Sequence, residues 1–297
     1  MVRSLARTQM RLSHANINKV ALGWQAPAAE EFVVHTDGAT IAATIVGGGG
    51  IPVVWAHGLL STKEIPLATL HDLTGYQVLT FDHRGHGASS PVRSVSDLTL
   101  EATVDDVRFL LDHVGWNQAI VGGESMGAAT ALTFARAHPG RVSGLMLDRP
   151  AIDEKLNSAL EPQSNAALLR SHGIEGWMKE LLNRHPAESR SFMESRYAAA
   201  WRRQDPACAA VAFEAVGSWQ VAPLATLSSL QVPTVVRAWR RDPIHPLDLA
   251  KRIHRSLPHS ALAVVSPVLL HDLDSDRRSI VNMLACLDRL ARTTSHP

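Results

Sequence analysis

Residues 118–138 read QAIVGGESMGAATALTFARAH and join a short apolar stretch directly to a helical pattern. The apolar run before the two glycines is typical of a buried strand, and the small and apolar residues after them keep helical spacing until Pro139. The junction at 123–127, Gly-Glu-Ser-Met-Gly, fits G-x-S-x-G, in which the glycines permit close backbone approach at a sharp turn. Ser125 is therefore expected above a strand end and at a helix N-terminus, where the helix dipole favours developing negative charge.

The sequence on both sides of this junction alternates apolar strands with helical segments. The runs EFVVHT and TIAATIV flank Asp37-Gly38 and predict an antiparallel hairpin with a tight turn. Continuous apolar runs follow in IPVVWA, YQVLTFD and VSGLMLD, and again in VPTVVRAW and ALAVVS, with helical patterns between them. This alternation indicates an α/β fold with a doubly wound, mostly parallel sheet that is buried on both faces.

The pattern changes over residues 151–221, where helix-like stretches follow one another without a convincing strand. We interpret this segment as a helical cap inserted into a core formed by residues 30–150 and 222–297. Residues 1–29 are interpreted as an N-terminal extension.

Aromatic residues are concentrated in the predicted cap, although they make up only 5% of the chain. Most of them are expected to form the core of the cap. Some should line an apolar pocket above Ser125, and Trp177, Trp201 and Trp219 are the candidates.

The composition of the chain limits the classes of molecule that it is expected to bind. The chain has 297 residues, with 29 basic and 28 acidic side chains and no basic block, so it lacks the electrostatic footprint of a nucleic-acid binder. No run approaches the length of a membrane span, and the N-terminus lacks the apolar centre of a signal peptide. Cys208 and Cys286 lie in apolar contexts typical of small buried side chains. We therefore expect a cytoplasmic protein without a membrane partner, and a homo-oligomer stays open.

Three further motifs accompany G-x-S-x-G in order along the chain. His57-Gly58-Leu59 follows the strand IPVVWA, D-x-R-G-x-G-x-S occupies 82–89, and D-x-x-x-P occupies 242–246. Together the four motifs resemble the α/β-hydrolase superfamily, in its serine-nucleophile branch with a helical cap, and the resemblance extends over residues 30–292.

The resemblance implies a catalytic triad of Ser125, Asp242 and His271, in the order nucleophile, acid and histidine. Asp242 follows VPTVVRAW and His271 follows ALAVVSP, although the glycine that commonly precedes the family's histidine is missing here. The backbone N–H groups of Leu59 and Met126 would form the oxyanion hole. Asp148 ends the strand VSGLMLD, a position from which some members supply the acid, and it stays as the alternative.

The resemblance implies a cofactor-independent hydrolase that cleaves a carboxylic ester-type bond in a small apolar substrate through an acyl-enzyme on Ser125. A carboxylesterase or monoester hydrolase comes first, then a lactonase or thioesterase, and then a carbon–carbon bond hydrolase. A serine in the middle of the G-x-S-x-G turn argues against the branches of the superfamily that use a carboxylate as the nucleophile. A ligand-binding or cyclase member of the fold is the alternative from another class, because fold alone does not determine function.

Several other residues have more than one interpretation. His57 is a candidate for the substrate pocket or for shaping its own loop, and Arg149 and Arg237 are candidates for a substrate carboxylate or for ordinary ion pairs. His83 and His86 have the spacing HxxH, but they lie inside a motif already assigned to a loop and lack a complete ligand set nearby. No metal and no cofactor are predicted, since the glycine run at 47–50 leads into a strand rather than a helix.

Overall fold

The structure is a computed structural model and describes residues 29–151, 161–221, 223–242, 244–266 and 272–294. The predicted N-terminal extension therefore lies outside the described residues, except for Ala29. The described strands form one eight-stranded sheet in the order β1-β2-β4-β3-β5-β6-β7-β8. Their bounds are β1 Glu30–Thr36, β2 Ala39–Val46, β3 Ile51–Ala56, β4 Tyr76–Phe81, β5 Ala119–Glu124, β6 Val142–Asp148, β7 Thr234–Trp239 and β8 Ser260–Val265.

The sheet is parallel from β4 to β8, and only β1 and β2 run antiparallel to their neighbours. β1 and β2 form the predicted hairpin, and Gly38 in its turn has a φ of 77°, which favours glycine. The doubly wound, mostly parallel α/β fold predicted from the sequence is confirmed.

Helices cover both faces of the sheet. Their bounds are α1 Glu64–Leu70, α2 Leu100–Val114, α3 Met126–Ala137, α4 Pro162–Asn183, α5 Ala187–Trp201, α6 Pro206–Ser218, α7 Leu247–Ser256 and α8 Leu273–Thr294. Successive residues of a strand point to opposite faces. Val53 and Trp55 of β3 accordingly pack in a core with α1 and α8, whereas Val54 and Ala56 pack in a second core with α2, α3 and α7. This alternation explains why the parallel strands are apolar throughout.

The helices α4, α5 and α6 lie in sequence between β6 and β7, and we call them the inserted helices. They occupy most of the segment interpreted as a cap, and α4 bends at Gly173, whose φ is 63°. Residues 152–160 at the start of that segment lie outside the described residues. None of the helices in the described ranges is both long and apolar enough to cross a membrane.

Candidate active site

Ser125 occupies the sharp turn between β5 and α3 with a φ of 52°, in the left-handed region that is uncommon for a serine. The flanking glycines are required by space. A β-carbon on Gly123 would lie 2.4 Å from the carbonyl oxygen of Gly127, and one on Gly127 would lie 2.2 Å from the carbonyl oxygen of Ala56. The backbone N–H of Ser125 donates to the carbonyl oxygen of Asp148 at 3.0 Å, so the turn is tied to the end of β6.

A histidine contacts the Ser125 hydroxyl, and it is His245. Its Nε2 lies 2.8 Å from Ser125 Oγ, and its Nδ1 lies 3.1 Å from Asp242 Oδ2. Asp242 Oδ1 accepts from the backbone N–H groups of Ile244 and His245 at 2.8 and 2.9 Å. If Nδ1 donates to Asp242, Nε2 is left to accept the serine proton, which is the arrangement of a nucleophile, a base and an orienting acid.

The charge on Asp242 is stabilised where it lies. Burial opposes ionisation of its carboxyl group, but the neighbouring His245 imidazole, the Arg149 guanidinium and the backbone N–H bonds outweigh burial and lower the pKa of Asp242 to about 2. Asp242 is therefore a carboxylate at neutral pH and can stabilise a positive charge on His245.

The base predicted from the sequence, His271, lies outside the described residues. Among the described residues, the histidine that contacts Ser125 is therefore one that the sequence analysis did not single out. His245 lies inside the motif 242–246, three residues after Asp242, whereas the order typical of the fold predicts a histidine after the last strand. That spacing, an acid and a histidine within one turn, is the signal that could have found it.

Asp148, the alternative acid, contacts arginines. Its carboxylate accepts from Arg237 Nε at 2.9 Å and Nη2 at 2.8 Å, and it lies 3.4 Å from Arg149 Nε. Burial opposes its ionisation, but Arg237 and then Arg149 outweigh burial and lower the pKa of Asp148. Among the described residues Asp148 bonds to no histidine. Arg237 is in turn paired with Asp276, so the structure places it in an ion pair beneath the site rather than against a substrate.

The loop after β3 carries one predicted oxyanion donor, Leu59. His57 is fully buried, with Nδ1 2.7 Å from the carbonyl oxygen of Gly58 and Nε2 accepting from the N–H of His83 at 3.0 Å. Nε2 of His86 accepts from the N–H of Leu60 at 3.0 Å. His57 and His86 thus fix the loop. Neither ring is among the residues that line the cavity at Ser125, so of the two interpretations of His57 the structure supports the shaping of its loop and not a place in the pocket.

The N–H groups of Leu59 and Met126 bond to no acceptor in the part of the chain that the structure describes. Met126 is the first residue of α3, where an N–H group has no partner within the helix. Neither N–H group is therefore committed to another acceptor there, as an oxyanion hole would require.

A cavity of about 260 Å³ opens at Ser125 between the core and the inserted helices. Six aromatic side chains line it: Trp177, Phe192, Tyr197, Trp201, Phe213 and Trp239. The predicted pocket residues Trp177, Trp201 and Arg149 are therefore at the cavity. Trp219 is not among the lining residues, because its indole N–H bonds to the carbonyl oxygen of Leu98 at 2.9 Å, under the inserted helices.

The carboxylates that line the cavity among the described residues are each paired. Glu124 bonds directly to Arg149, Glu161 bonds to Arg184 at 2.9 Å, and Asp242 bonds to His245. Arg149 also stacks on Trp239, with 3.9 Å between the guanidinium carbon and the ring centroid. The carboxylates of the cavity are therefore compensated, and Arg241 adds a further basic side chain to its lining.

Comparisons with known proteins agree with the fold. A protein of Leptolyngbya boryana described as "Probable proline iminopeptidase" is 24% identical over an alignment of 260 residues that covers 73% of this chain and 80% of that protein. A thermophilic esterase from Thermogutta terrifontis shares the fold with a TM-score of 0.74 and 23% identity, over 87% of this chain and 99% of that chain. An enol-lactonase from Burkholderia xenovorans does so with a TM-score of 0.73 and 19% identity, over 85% and 99%. The sequence model of the alpha/beta hydrolase fold matches residues 51–269, and the chain is an enzyme of the α/β-hydrolase family.

Proposed function

We propose that this hydrolase cleaves carboxylic esters through an acyl-enzyme on Ser125, with His245 as the general base and Asp242 as the acid that orients it. The observation that carries the proposal is the pair of contacts made by His245, 2.8 Å to Ser125 Oγ and 3.1 Å to Asp242 Oδ2. The predicted base His271 lies outside the described residues and is the alternative that the experiment below tests.

The reaction runs in two halves. His245 Nε2 takes the hydroxyl proton as Ser125 Oγ attacks the carbonyl carbon, and the carbonyl electron pair moves to an oxygen that meets the N–H groups of Leu59 and Met126. Collapse of this intermediate expels the alcohol, which receives the proton from His245. Water then attacks the acyl-enzyme with the same proton transfers, and the carboxylic acid leaves.

The cavity favours an apolar ester of modest size. Its volume of about 260 Å³ lies near the small end of ligand pockets, and six of the described side chains that line it are aromatic. The imino-terminal substrate implied by the Leptolyngbya relative's name would bring a positive charge, which needs a free carboxylate. Glu124, Glu161 and Asp242 are already paired in this cavity, so we place esters before N-terminal prolyl peptides.

The test compares four variants on p-nitrophenyl esters. Ser125→Ala and His245→Ala should each lower kcat by about 10⁴-fold or more, because both act in one catalytic unit. His271→Ala should stay within about tenfold of wild type. His259→Ala removes an imidazole that bonds to Gln231 away from the cavity and serves as the matched control. Circular dichroism verifies that each variant is folded.

The outcomes separate the parts of the proposal. A fluorophosphonate should label wild type and not Ser125→Ala, and turnover that persists in Ser125→Ala would refute the serine mechanism. Loss of activity in His271→Ala with activity retained in His245→Ala would return the base to His271. A parallel panel of a lactone, an acyl-CoA and proline p-nitroanilide ranks the bond types, and preferred cleavage of the anilide would contradict an ester substrate.

A further inference from the structure

We propose that Glu124, clamped by Arg149 and Tyr197, is a positioning residue. It would hold residues 57–60 after β3, which we call the oxyanion loop, against the turn at 123–127 that carries Ser125. The inference rests on the proposed function, because it concerns the donor that the Leu59 N–H would supply. It extends that function to residues that do not touch the reacting atoms.

Glu124 bridges the two backbone segments that the oxyanion hole needs. It directly precedes Ser125, and its buried Oε1 accepts from the backbone N–H of Gly58 at 3.4 Å. Gly58 packs closely on this carboxylate, since a β-carbon there would lie 3.2 Å from Oε1. Leu59 is the next residue, so a displacement of Gly58 would move the Leu59 N–H relative to Ser125.

The second carboxylate oxygen is held from two directions. Arg149 Nη2 bonds directly to Glu124 Oε2, and the Tyr197 hydroxyl lies 3.5 Å from the same oxygen. Arg149 Nη2 also donates to the Tyr197 hydroxyl at 3.2 Å. Arg149 in turn is fixed by its contacts to Asp148 and by the Trp239 ring beneath it. Both oxygens of Glu124 are therefore acceptors in a closed arrangement.

Charge compensation gives Arg149 a second effect. An unpaired carboxylate next to a forming oxyanion would oppose the negative charge, and the adjacent guanidinium cancels it. Both side chains of this pair are only 7% exposed, so solvent screens it little. The Glu124–Arg149 pair can therefore hold the loop in place without opposing the negative charge of the oxyanion.

Tyr197 makes the tie depend on the inserted helices. It belongs to α5, and the preceding Arg196 fixes that helix to the core through Asp276 at 2.9 Å and Thr69 at 3.0 Å. Because α5 is anchored in this way, the Tyr197 hydroxyl holds Glu124 from an element outside the sheet. The position of α5 is thereby transmitted to the oxyanion loop.

The experiment measures kcat/KM for one p-nitrophenyl ester and for its thionoester, in which sulfur replaces the carbonyl oxygen. Sulfur is larger and accepts hydrogen bonds weakly, so the oxyester-to-thionoester ratio reports the oxyanion hole. Glu124→Gln keeps the size of the side chain but offers one acceptor where two are used, so Gly58 or Arg149 loses its contact. We expect this variant to lower kcat and the ratio by about tenfold or more, with KM changed by less than about threefold.

Two further variants complete the design. Glu214→Gln makes the same change in an exposed ion pair with Arg170 and should keep the wild-type ratio. Tyr197→Phe removes one hydroxyl and should lower the ratio by about two- to fivefold, which decides the question if Glu124→Gln does not fold.

Activity that survives in Ser125→Ala would defeat the proposed function, whatever the ratios. Wild-type turnover through Ser125 with unchanged ratios in folded Glu124→Gln and Tyr197→Phe would instead overturn only the positioning role.

Discussion

Acidification from pH 7 to pH 5 should destabilise the protein strongly, because three imidazoles are buried uncharged beside the oxyanion loop. His57, His83 and His86 are at most 1% exposed, and their rings pack edge to face. Burial lowers the pKa of His57 to about 4 and that of His86 to about 3, and it lowers the pKa of His83 well below the usual value. The folded protein therefore binds no proton at these sites at pH 5, whereas the unfolded chain does.

The magnitude follows from proton linkage. The stability contributed by a histidine with a lowered folded pKa is fully present above the unfolded pKa of about 6.5, and it is lost as the pH falls below that value. Each imidazole loses about 1.9 kcal/mol of stability between pH 7 and pH 5, hence about 5.7 kcal/mol for three. That is comparable to the whole stability of a typical domain. Carboxylates whose pKa is lowered in the folded protein, such as Asp276, have a pKa near 4 in the unfolded chain, so they change the stability mainly below pH 5. Burial raises the pKa of Asp82, which opposes the loss.

Urea unfolding at pH 7, 6 and 5 measures this loss, and His83→Phe isolates one group of the three. Both ring nitrogens of His83 lack a hydrogen-bond partner among the described residues, and the ring lies 4.8 Å from that of Phe81. The stability of His83→Phe relative to wild type should rise by about 2 kcal/mol from pH 7 to pH 5, a difference in which the contribution of Asp82 cancels. His35→Ala, at an exposed position, should show no such change. A wild-type loss below about 2 kcal/mol, or a constant difference for His83→Phe, would refute the reasoning.

Three other predictions concern the site. Asp242→Asn should lower kcat by about 10⁴-fold, because the imidazole loses the tautomer that the carboxylate holds. Asp148→Asn should instead lower the free energy of unfolding by about 3–5 kcal/mol, because buried arginines lose their partner. Steady-state kinetics and urea unfolding, measured on both variants, separate the two effects. Trp201→Ala, which enlarges the cavity, should change discrimination between ester chain lengths by about 10- to 200-fold. Trp219→Ala should instead lower stability by about 3–5 kcal/mol and keep the chain-length profile. Gly127→Ala should abolish turnover, because the new β-carbon would lie 2.2 Å from a backbone oxygen, and a drop in Tm should accompany the loss.

The features that were predictable from the sequence are those that local rules determine. The hairpin required only alternation around Asp37-Gly38, and the strands of the parallel sheet required only apolar runs of strand length. The turn at 123–127 was recognisable because the glycines leave no space for a side chain, a constraint that acts within a few residues. Each of these features is encoded within about ten residues of itself.

The contacts that sequence reasoning missed join residues far apart in the chain. Ser125 and His245 are separated by 120 positions, and Glu124 and Arg149 by 25. Position 124 is also unspecified in the pattern G-x-S-x-G, so the motif gives no reason to examine its side chain. Trp201 and Trp219 both lie at the end of a helical stretch, and the sequence alone does not show that Trp201 lines the cavity whereas Trp219 bonds to Leu98.

The sheet explains why these separated residues meet. The oxyanion loop follows β3, Ser125 follows β5, Arg149 follows β6, and the turn with Asp242 and His245 follows β7, and these four parallel strands are adjacent in the order β3-β5-β6-β7. Their ends are aligned, since Glu124 pairs with Asp148 and Asp148 pairs with Arg237 across the sheet. Because Asp242 and His245 share one turn, their mutual geometry is set locally by the bonds of Asp242 to residues 244 and 245. The proposed triad therefore needs only one long-range contact, from His245 to Ser125, and the register of β5, β6 and β7 supplies it.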